Sequence, residues 1–181
     1  MAALDFFHRG KKDFNVLHVN HGTPHADDAE AFVRAECDVR GINLRTEKII
    51  RPRDLEESWE EYWRNERYQF FREIAGPVIT VHNLDDAVEW WVYTAMHGQP
   101  RLISRTNANV MRPFLLTPKR ELQKWCHDHE VDFCEDPSNW DERYMRSIVR
   151  HKIVPLGKQV NPGLEKVVKK MLVKENGATG K

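Results

Sequence analysis

Strand-like and helix-like segments alternate along nearly the whole chain, and this alternation constrains the fold more than any other feature of the sequence. Residues 14–19 form a short β-rich run ending in Asn20-His21-Gly22. Residues 26–40 place Ala29, Phe32, Val33 and Cys37 at helical spacing and stop at Gly41. Residues 42–50 alternate as a strand, closed by Pro52. An amphipathic helix is expected over residues 54–75, with Trp59, Trp63, Tyr68, Phe70 and Phe71 as core packing along its apolar side. After the Gly76-Pro77 break, residues 78–81 read as a buried strand, residues 84–96 as a helix, and Val110-Met111 as a last short strand. Thr117 is placed to cap a helix with Pro118 at its first position, running to Glu130. Residues 3–8 read as the tail of a helix closed by Gly10, and the end of the chain is helical, interrupted at Pro155-Leu156-Gly157 and Pro162-Gly163. Strands joined by helices imply βα units, so the expected class is α/β with a mostly parallel, doubly wound, Rossmann-like sheet.

The chain has 181 residues, room for one domain with a real core. No apolar run approaches the ~20 residues of a membrane span, and no signal-peptide pattern opens the sequence. Cys37, Cys126 and Cys134 are widely spaced and odd in number, which fits reduced thiols in a cytoplasmic protein better than disulfides or zinc.

The 28 basic and 28 acidic residues cancel, but not locally. Asp54, Glu56, Glu57, Glu60 and Glu61 form an acidic block. Residues 101–120 hold five Lys or Arg and no acid, and residues 143–181 hold ten against Glu165 and Glu175. Such a basic end can follow a phosphate backbone, although charge alone favours a solvated helical surface.

In open α/β sheets ligands bind beyond the carboxyl ends of the strands. Those ends carry Asn20-His21-Gly22, then His82-Asn83-Leu84-Asp85-Asp86, then Arg112-Pro113. Asp85 and Glu89 lie four apart and Asp86 and Glu89 three apart, so a helix starting at residue 84 puts these acids on shared faces. One carboxylate suffices to cap a helix, whereas grouped carboxylates near phosphates can hold Mg²⁺ or receive an ammonium group. Arg112 can pair with phosphate or with a neighbouring acid. Arg64 and Arg67, beside Tyr68, are candidates to face RNA. Downstream, Asp136-Pro137-Ser138-Asn139 is turn chemistry, with Asn139 or Asp141 available to cap the following helix. Arg143, Arg146 and Arg150 then recur at helical spacing, a one-sided row suited to phosphate contacts.

Together these segments resemble the tRNA(Ile)-lysidine synthetases, a family within the PP-loop ATP pyrophosphatases. Asp-Pro-Ser-Asn-x-Asp-x-x-Tyr-x-Arg-x-x-x-Arg, spanning residues 136–150, is similar to the signature closing their catalytic domain. His18-Val19-Asn20-His21-Gly22 resembles the segment after their second strand, and Arg64-Asn65-Glu66-Arg67-Tyr68 their Ala-Arg-x-x-Arg-Tyr helix, with Trp63 where alanine is usual. Residues 82–89 resemble their His-His-x-Asp-Asp-x-x-Glu motif with Asn83 for the second histidine, and residues 112–115 resemble their Arg-Pro-Leu-Leu. Ser147 stands where asparagine is usual.

The resemblance implies an adenine nucleotide alpha hydrolase-like fold, with residues 1–135 as the PP-loop catalytic domain and residues 136–181 as a helical segment of the same unit. The family's Ser-Gly-Gly-x-Asp-Ser loop has no counterpart before Met1, so its central first strand is expected to be missing, through a gene start placed at an internal methionine or a split gene. The C-terminal domains of longer members are likewise not seen in the sequence.

The implied reaction joins free L-lysine to the wobble cytidine of a CAU-anticodon tRNA(Ile) with ATP and Mg²⁺. By motif position, Asp85, Asp86, Glu89 and Arg112 carry catalysis, with Asp85 and Asp86 as metal ligands. His21, His82 and Arg112 bind ATP, while Arg64, Arg67, Arg143, Arg146 and Arg150 serve the tRNA side or hold the site closed. A cytoplasmic protein is expected, with a homodimer allowed. The rival readings are a thiolation-type PP-loop tRNA enzyme and a non-catalytic RNA-binding remnant.

Overall fold

A computed structural model describes residues 1–23, 25–134 and 140–178. The chain divides into two units, Met1–Ala75 with Trp125–Ser138, and Gly76–Lys124 with Asn139–Lys181.

The first unit opens with α1 (Ala2–Arg9), then β1 (Val16–Asn20), α2 (Ala26–Arg40) and β2 (Leu44–Lys48). β1 and β2 pair in parallel from Val16↔Leu44 to Asn20↔Lys48, with α2 as the crossover. Gly41 ends α2 at φ 65, and its N–H and that of Ile42 return to the carbonyls of Asp38 and Cys37. This left-handed cap is the reason a glycine stands there.

α3 (Trp59–Arg72) is shorter than its apolar pattern suggests. Ser58 caps it, accepting from the Glu61 N–H, so the acidic block is split: Asp54, Glu56 and Glu57 precede the helix, while Glu60 and Glu61 fall in its first turn. Arg51 donates to Glu66 (2.6 Å), Glu57 (2.8 Å) and Asp54 (3.2 Å), while the Tyr62 hydroxyl donates to the Arg51 carbonyl. Tyr62, Phe70 and Phe71 are buried, but Trp59 is 47% exposed, so the aromatic side of α3 is only partly core.

The second unit holds β3 (Val78–Ile79), α4 (Leu84–Met96), β4 (Thr106–Asn107) and β5 (Val110–Met111). The order in its sheet is β3-β5-β4, with β3 and β5 parallel and β4 antiparallel to β5. The β4–β5 hairpin was not evident in the sequence because its strands have two residues each and turn through Ala108 at φ 50. Parallel pairing and the α/β class hold in both units, and β1 and β3 each form an edge of their own sheet among the described residues.

α5 (Lys119–Asp128) is followed, beyond the undescribed residues 135–139, by α6 (Met145–Ile148), one wide π turn (Val149–Ile153), α7 (Val154–Val160) and α8 (Leu164–Ala178). Pro155 does not break this run. It sits in the first turn of α7, directly after the π turn, where a missing N–H is tolerated. Leu84, Ala87 and Val88 of α4 pack with Leu115, Val149, Val154 and the Leu164, Val168, Leu172 stripe of α8. Gly157 lies close to Leu164, whose Cδ2 would be 3.4 Å from an added Cβ.

Candidate active site

In the second unit the parallel pair β3–β5 directs two polar loops to one end. Register pairs Ile79 with Met111, and the Thr80 N–H bonds the Met111 carbonyl at 2.9 Å, so His82 and Arg112 both follow the carboxyl ends of adjacent strands. The Leu84 N–H donates to the Thr117 carbonyl at 2.9 Å, which sets the start of α4 beside the start of α5.

Asn83 caps α4. Its side-chain oxygen accepts from the N–H groups of Asp85 (2.9 Å) and Asp86 (3.2 Å), and the Asp86 carboxylate accepts from the Asn83 N–H at 2.9 Å. This reciprocal box fixes the first turn and aims both acids. Asp85 turns to the neighbouring helix and accepts from the Lys119 N–H at 2.7 Å, so it caps α5 from 34 residues away. Asp86 turns the other way, its second oxygen 3.4 Å from the Arg150 guanidinium.

Glu89 is the most enclosed acid of the group, 2% exposed. Arg146 donates from Nε to its Oε1 at 2.6 Å, and Arg150 from Nε to its Oε2 at 2.6 Å. Both arginines remain 35% exposed. Two like charges four apart on a helix repel, and here one buried carboxylate between them turns that repulsion into a clasp joining α4 to the π turn.

Arg143 does not continue the row. It lies before α6, donating to the Asp141 carboxylate at 2.6 and 2.9 Å, because Tyr144 is extended (φ −92, ψ 123) and the helix begins only at Met145. Asp141 therefore closes a local turn with the Arg143 N–H, rather than capping a helix. The Asp136-Pro137-Ser138-Asn139 turn lies outside the described residues. The α5 start likewise differs from expectation, since Lys119 is its first residue and receives the Asp85 cap.

His82 shares a 2.9 Å hydrogen bond between its Nδ1 and the Thr80 hydroxyl. Arg112 is buried and donates from Nη1 to the Ser104 carbonyl at 2.7 Å. The second unit thus gathers His82, Asp85, Asp86, Glu89, Arg112, Arg146 and Arg150 around the starts of α4 and α5 and the π turn.

His21, Arg64 and Arg67 belong to the first unit. His21 lies edge-on to Trp63 (5.5 Å between ring centroids), Trp63 is 5.4 Å from Trp59, and Arg53 covers Trp59 at 4.7 Å. Arg64 stacks over Tyr68 at 5.5 Å. Asn20, named in the sequence only as part of the strand-end cluster and given no role there, is the anchor of this strand end. It is 1% exposed, accepts from the Gly22 N–H at 2.9 Å and donates to Asp27 (2.7 Å) and Glu30 (3.0 Å). These bonds hold both carboxyls below their usual range, for Asp27 with help from Lys48 and for Glu30 from Arg34. An asparagine closing a strand two residues before a glycine is turn chemistry, and that signal would have found its role.

The family described as the PP-loop domain matches residues 1–157. The chain belongs to the PP-loop family. Among PP-loop relatives, it is 31% identical over 160 residues to the tRNA(Ile)-lysidine synthase of Staphylococcus aureus (strain COL), covering 80% of this chain and 37% of that protein. The corresponding enzyme of Exiguobacterium sibiricum is 26% identical over 183 residues, covering 91% and 42%. That of Thermosipho africanus is 33% identical over 120 residues, covering 61% and 28%. This PP-loop chain therefore spans about two fifths or less of the length of these relatives. A U34-tRNA thiolase from Methanococcus maripaludis with its 4Fe-4S cluster superposes with a TM-score of 0.71 at 15% identity, over 94% of this chain and 64% of that one. At such identity the likeness speaks for the PP-loop fold alone.

Proposed function

We propose that this PP-loop chain is catalytic machinery of a tRNA(Ile)-lysidine synthetase, joining lysine to the wobble cytidine of a CAU-anticodon tRNA(Ile) at the expense of ATP. The observation that carries the reading is the arrangement of Asp85, Asp86 and the Glu89–Arg146–Arg150 clasp beyond β3 and β5, in a chain 31% identical over 160 residues to one such enzyme.

In this reaction the cytidine C2 oxygen bonds to the α-phosphorus of ATP, and the bond to the β-phosphate oxygen breaks to release pyrophosphate. The lysine ε-amine then bonds to C2, and the C2–O bond breaks to release AMP. Lysine arrives as an ammonium ion and must lose a proton before attack. Asp86 is our choice to orient it and take that proton, because its carboxylate is fixed by the capping box yet remains partly exposed. Glu89 is given to its two arginines, so its role is positioning: it holds Arg146 and Arg150 with part of each guanidinium open to the anionic tRNA or nucleotide. Arg112 and His82, at the strand ends, are assigned to phosphate and nucleotide, as is His21 in its own unit. Arg64, Arg67 and Arg143 are assigned to tRNA.

Asp85 commits one oxygen to the Lys119 N–H, and Asp86 one to the Asn83 N–H with its second 3.4 Å from Arg150; such a carboxylate pair suits Mg²⁺, an ion usually held by one or two carboxylates plus substrate phosphates. When bound there, it would neutralise the charge of the triphosphate. Among the described residues no three His, Cys, Asp or Glu side chains form a metal cage.

The thiolation reading has less support. Cys37 and Cys126 are buried, and burial pushes the Cys37 thiol up, away from the reactive thiolate; Cys134 is exposed but forms no closely spaced pair in sequence with either.

Incubation of the protein, carrying at its N-terminus the Ser-Gly-Gly-x-Asp-Ser segment that the resemblance implies, with a CAU-anticodon tRNA, ATP and labelled lysine tests the proposal. Lysine should enter the tRNA with one AMP formed per lysine. ATP-dependent entry of sulfur, or tRNA binding with no lysine incorporated, would overturn it.

A further inference from the structure

The second unit carries an aromatic feature that the proposed reaction does not use. Trp140 is 65% exposed, and its indole lies nearly parallel to the His151 ring, 4.2 Å away with an interplanar angle of 20°. One face of the indole is packed and the rest of the ring meets solvent.

The support beneath it is fixed. His151 lies within the π turn, and the residue before it is Arg150, which bonds Glu89 at 2.6 Å. Lys152, the residue after it, bonds Glu142 at 2.6 Å, while Arg143 is held by Asp141. Trp140 is therefore presented on a braced surface rather than on a loose side chain, so little further rotamer entropy is lost when something stacks on it. Trp140 also falls at a position which the Asp-Pro-Ser-Asn-x-Asp motif leaves open, so the signature does not account for it.

The surroundings favour one kind of occupant. Residues 143–181 hold ten Lys or Arg against two acids, and Lys166, Lys170 and Lys174 recur every fourth residue as exposed positions of α8. Trp140 itself precedes that stretch, and its neighbours Asp141 and Glu142 are met by Arg143 and Lys152. An open indole face in a unit rich in Lys and Arg matches the way unpaired bases are held, by stacking on an aromatic ring while cations of the same unit meet the backbone. An apolar protein partner would be poorly served by so much charge.

We propose that the Trp140–His151 stack is a platform for one unpaired nucleobase of RNA. This rests on the tRNA reading above, and assigns to it a base contact made through stacking and not through hydrogen bonds.

The protein is titrated with a labelled single-stranded oligoribonucleotide and with a duplex of the same length, at several salt concentrations. Trp140→Ala should weaken single-strand binding roughly 5- to 100-fold, the range of base–aromatic stacking. Duplex binding and the salt slope should stay near wild type, since no phosphate contact is removed. Trp140→Phe should recover most of the loss, and His151→Ala should reproduce part of it, so the result does not hang on one variant's folding. Equal weakening on both RNAs, no weakening at all, or a change in self-association in place of RNA binding would each overturn the proposal. Lysine incorporation separates the two readings: if it occurs while Trp140→Ala binds as wild type, only the platform fails. If single-strand selectivity follows Trp140 without lysine incorporation, only the lysidine reading fails.

Discussion

Glu89 and Arg150 meet at 2.6 Å although 61 residues separate them in sequence, and Arg146 closes on the other carboxylate oxygen at the same distance. The carboxylate is 2% exposed and the guanidinium groups are 35% exposed, so solvent compensates the cations but not the anion.

Removing the anion leaves two cations facing each other beside a hydrophobic core. Glu89→Ala should therefore destabilise the protein by about 2–4 kcal/mol, with the exposed arginines holding the loss toward the lower end of this range. Urea denaturation reads it directly. A double-mutant cycle with Arg150→Ala should show coupling above about 1 kcal/mol. Additive single effects would mean that the clasp contributes nothing as a unit.

Asn83 accepts from two N–H groups of α4 while Asp86 returns the bond. Asn83→Ala should cost about 1–2 kcal/mol, and Asn83→Asp much less, because a carboxylate oxygen can cap in the same way. Amide hydrogen exchange should locate the loss in the first turn of α4. Uniform weakening along the helix would contradict the assignment.

Asp85→Ala should loosen the start of α5, whose Lys119 N–H it accepts, by about 1 kcal/mol. Asp85→Asn keeps an acceptor oxygen and should retain most of the stability. If Asp85 also serves the metal–phosphate charge as proposed, Asp85→Asn should slow lysine incorporation far more than it lowers the melting temperature. Parallel losses in both would leave Asp85 a cap only.

Acid sensitivity should appear in two steps. Burial of the half-buried His18 ring lowers its pKa, with Glu30 opposing and Arg34 assisting. The unfolded chain therefore takes up this proton first. The stability contributed by neutral His18 is full above about pH 6.5 and declines as pH falls through its lower folded value. Asp5 behaves differently: burial works to raise its pKa, but the hydrogen bonds from Arg9 (2.7 Å) and Trp125 (3.0 Å) bring it below normal. Its contribution is present above about pH 3.9 and is lost as pH falls through the folded value. Denaturation from pH 8 to 2 should show His18→Gln flattening the upper step alone and Asp5→Asn reducing the lower one, to which Asp27 and Glu30, also held below their usual range, contribute as well. A wild-type stability that is flat between pH 7 and 5 would refute the first step.

Asp86→Asn preserves an acceptor for the cap, so it should fold normally. Loss of its carboxylate should lower the rate of lysine incorporation about 10²- to 10⁴-fold, the usual range for a general base. Parent-like turnover would remove Asp86 from the chemistry.

Local patterns in the chain already carry the α/β class, the parallel strands joined by α2, the Gly41 stop, and the shared face of Asp86 and Glu89, which both reach Arg150. Each follows from backbone geometry or side-chain periodicity within a few residues, which a local pattern encodes. Tertiary structure alone decided that Arg146 and Arg150 turn to a buried glutamate, that Arg143 leaves their row for Asp141, and that Asp85 caps a helix beginning 34 residues later. Helical spacing says which side chains share a face, but not what will cover that face. The covering partner comes from chain folded in from far away, and only packing brings the two charges within bonding distance.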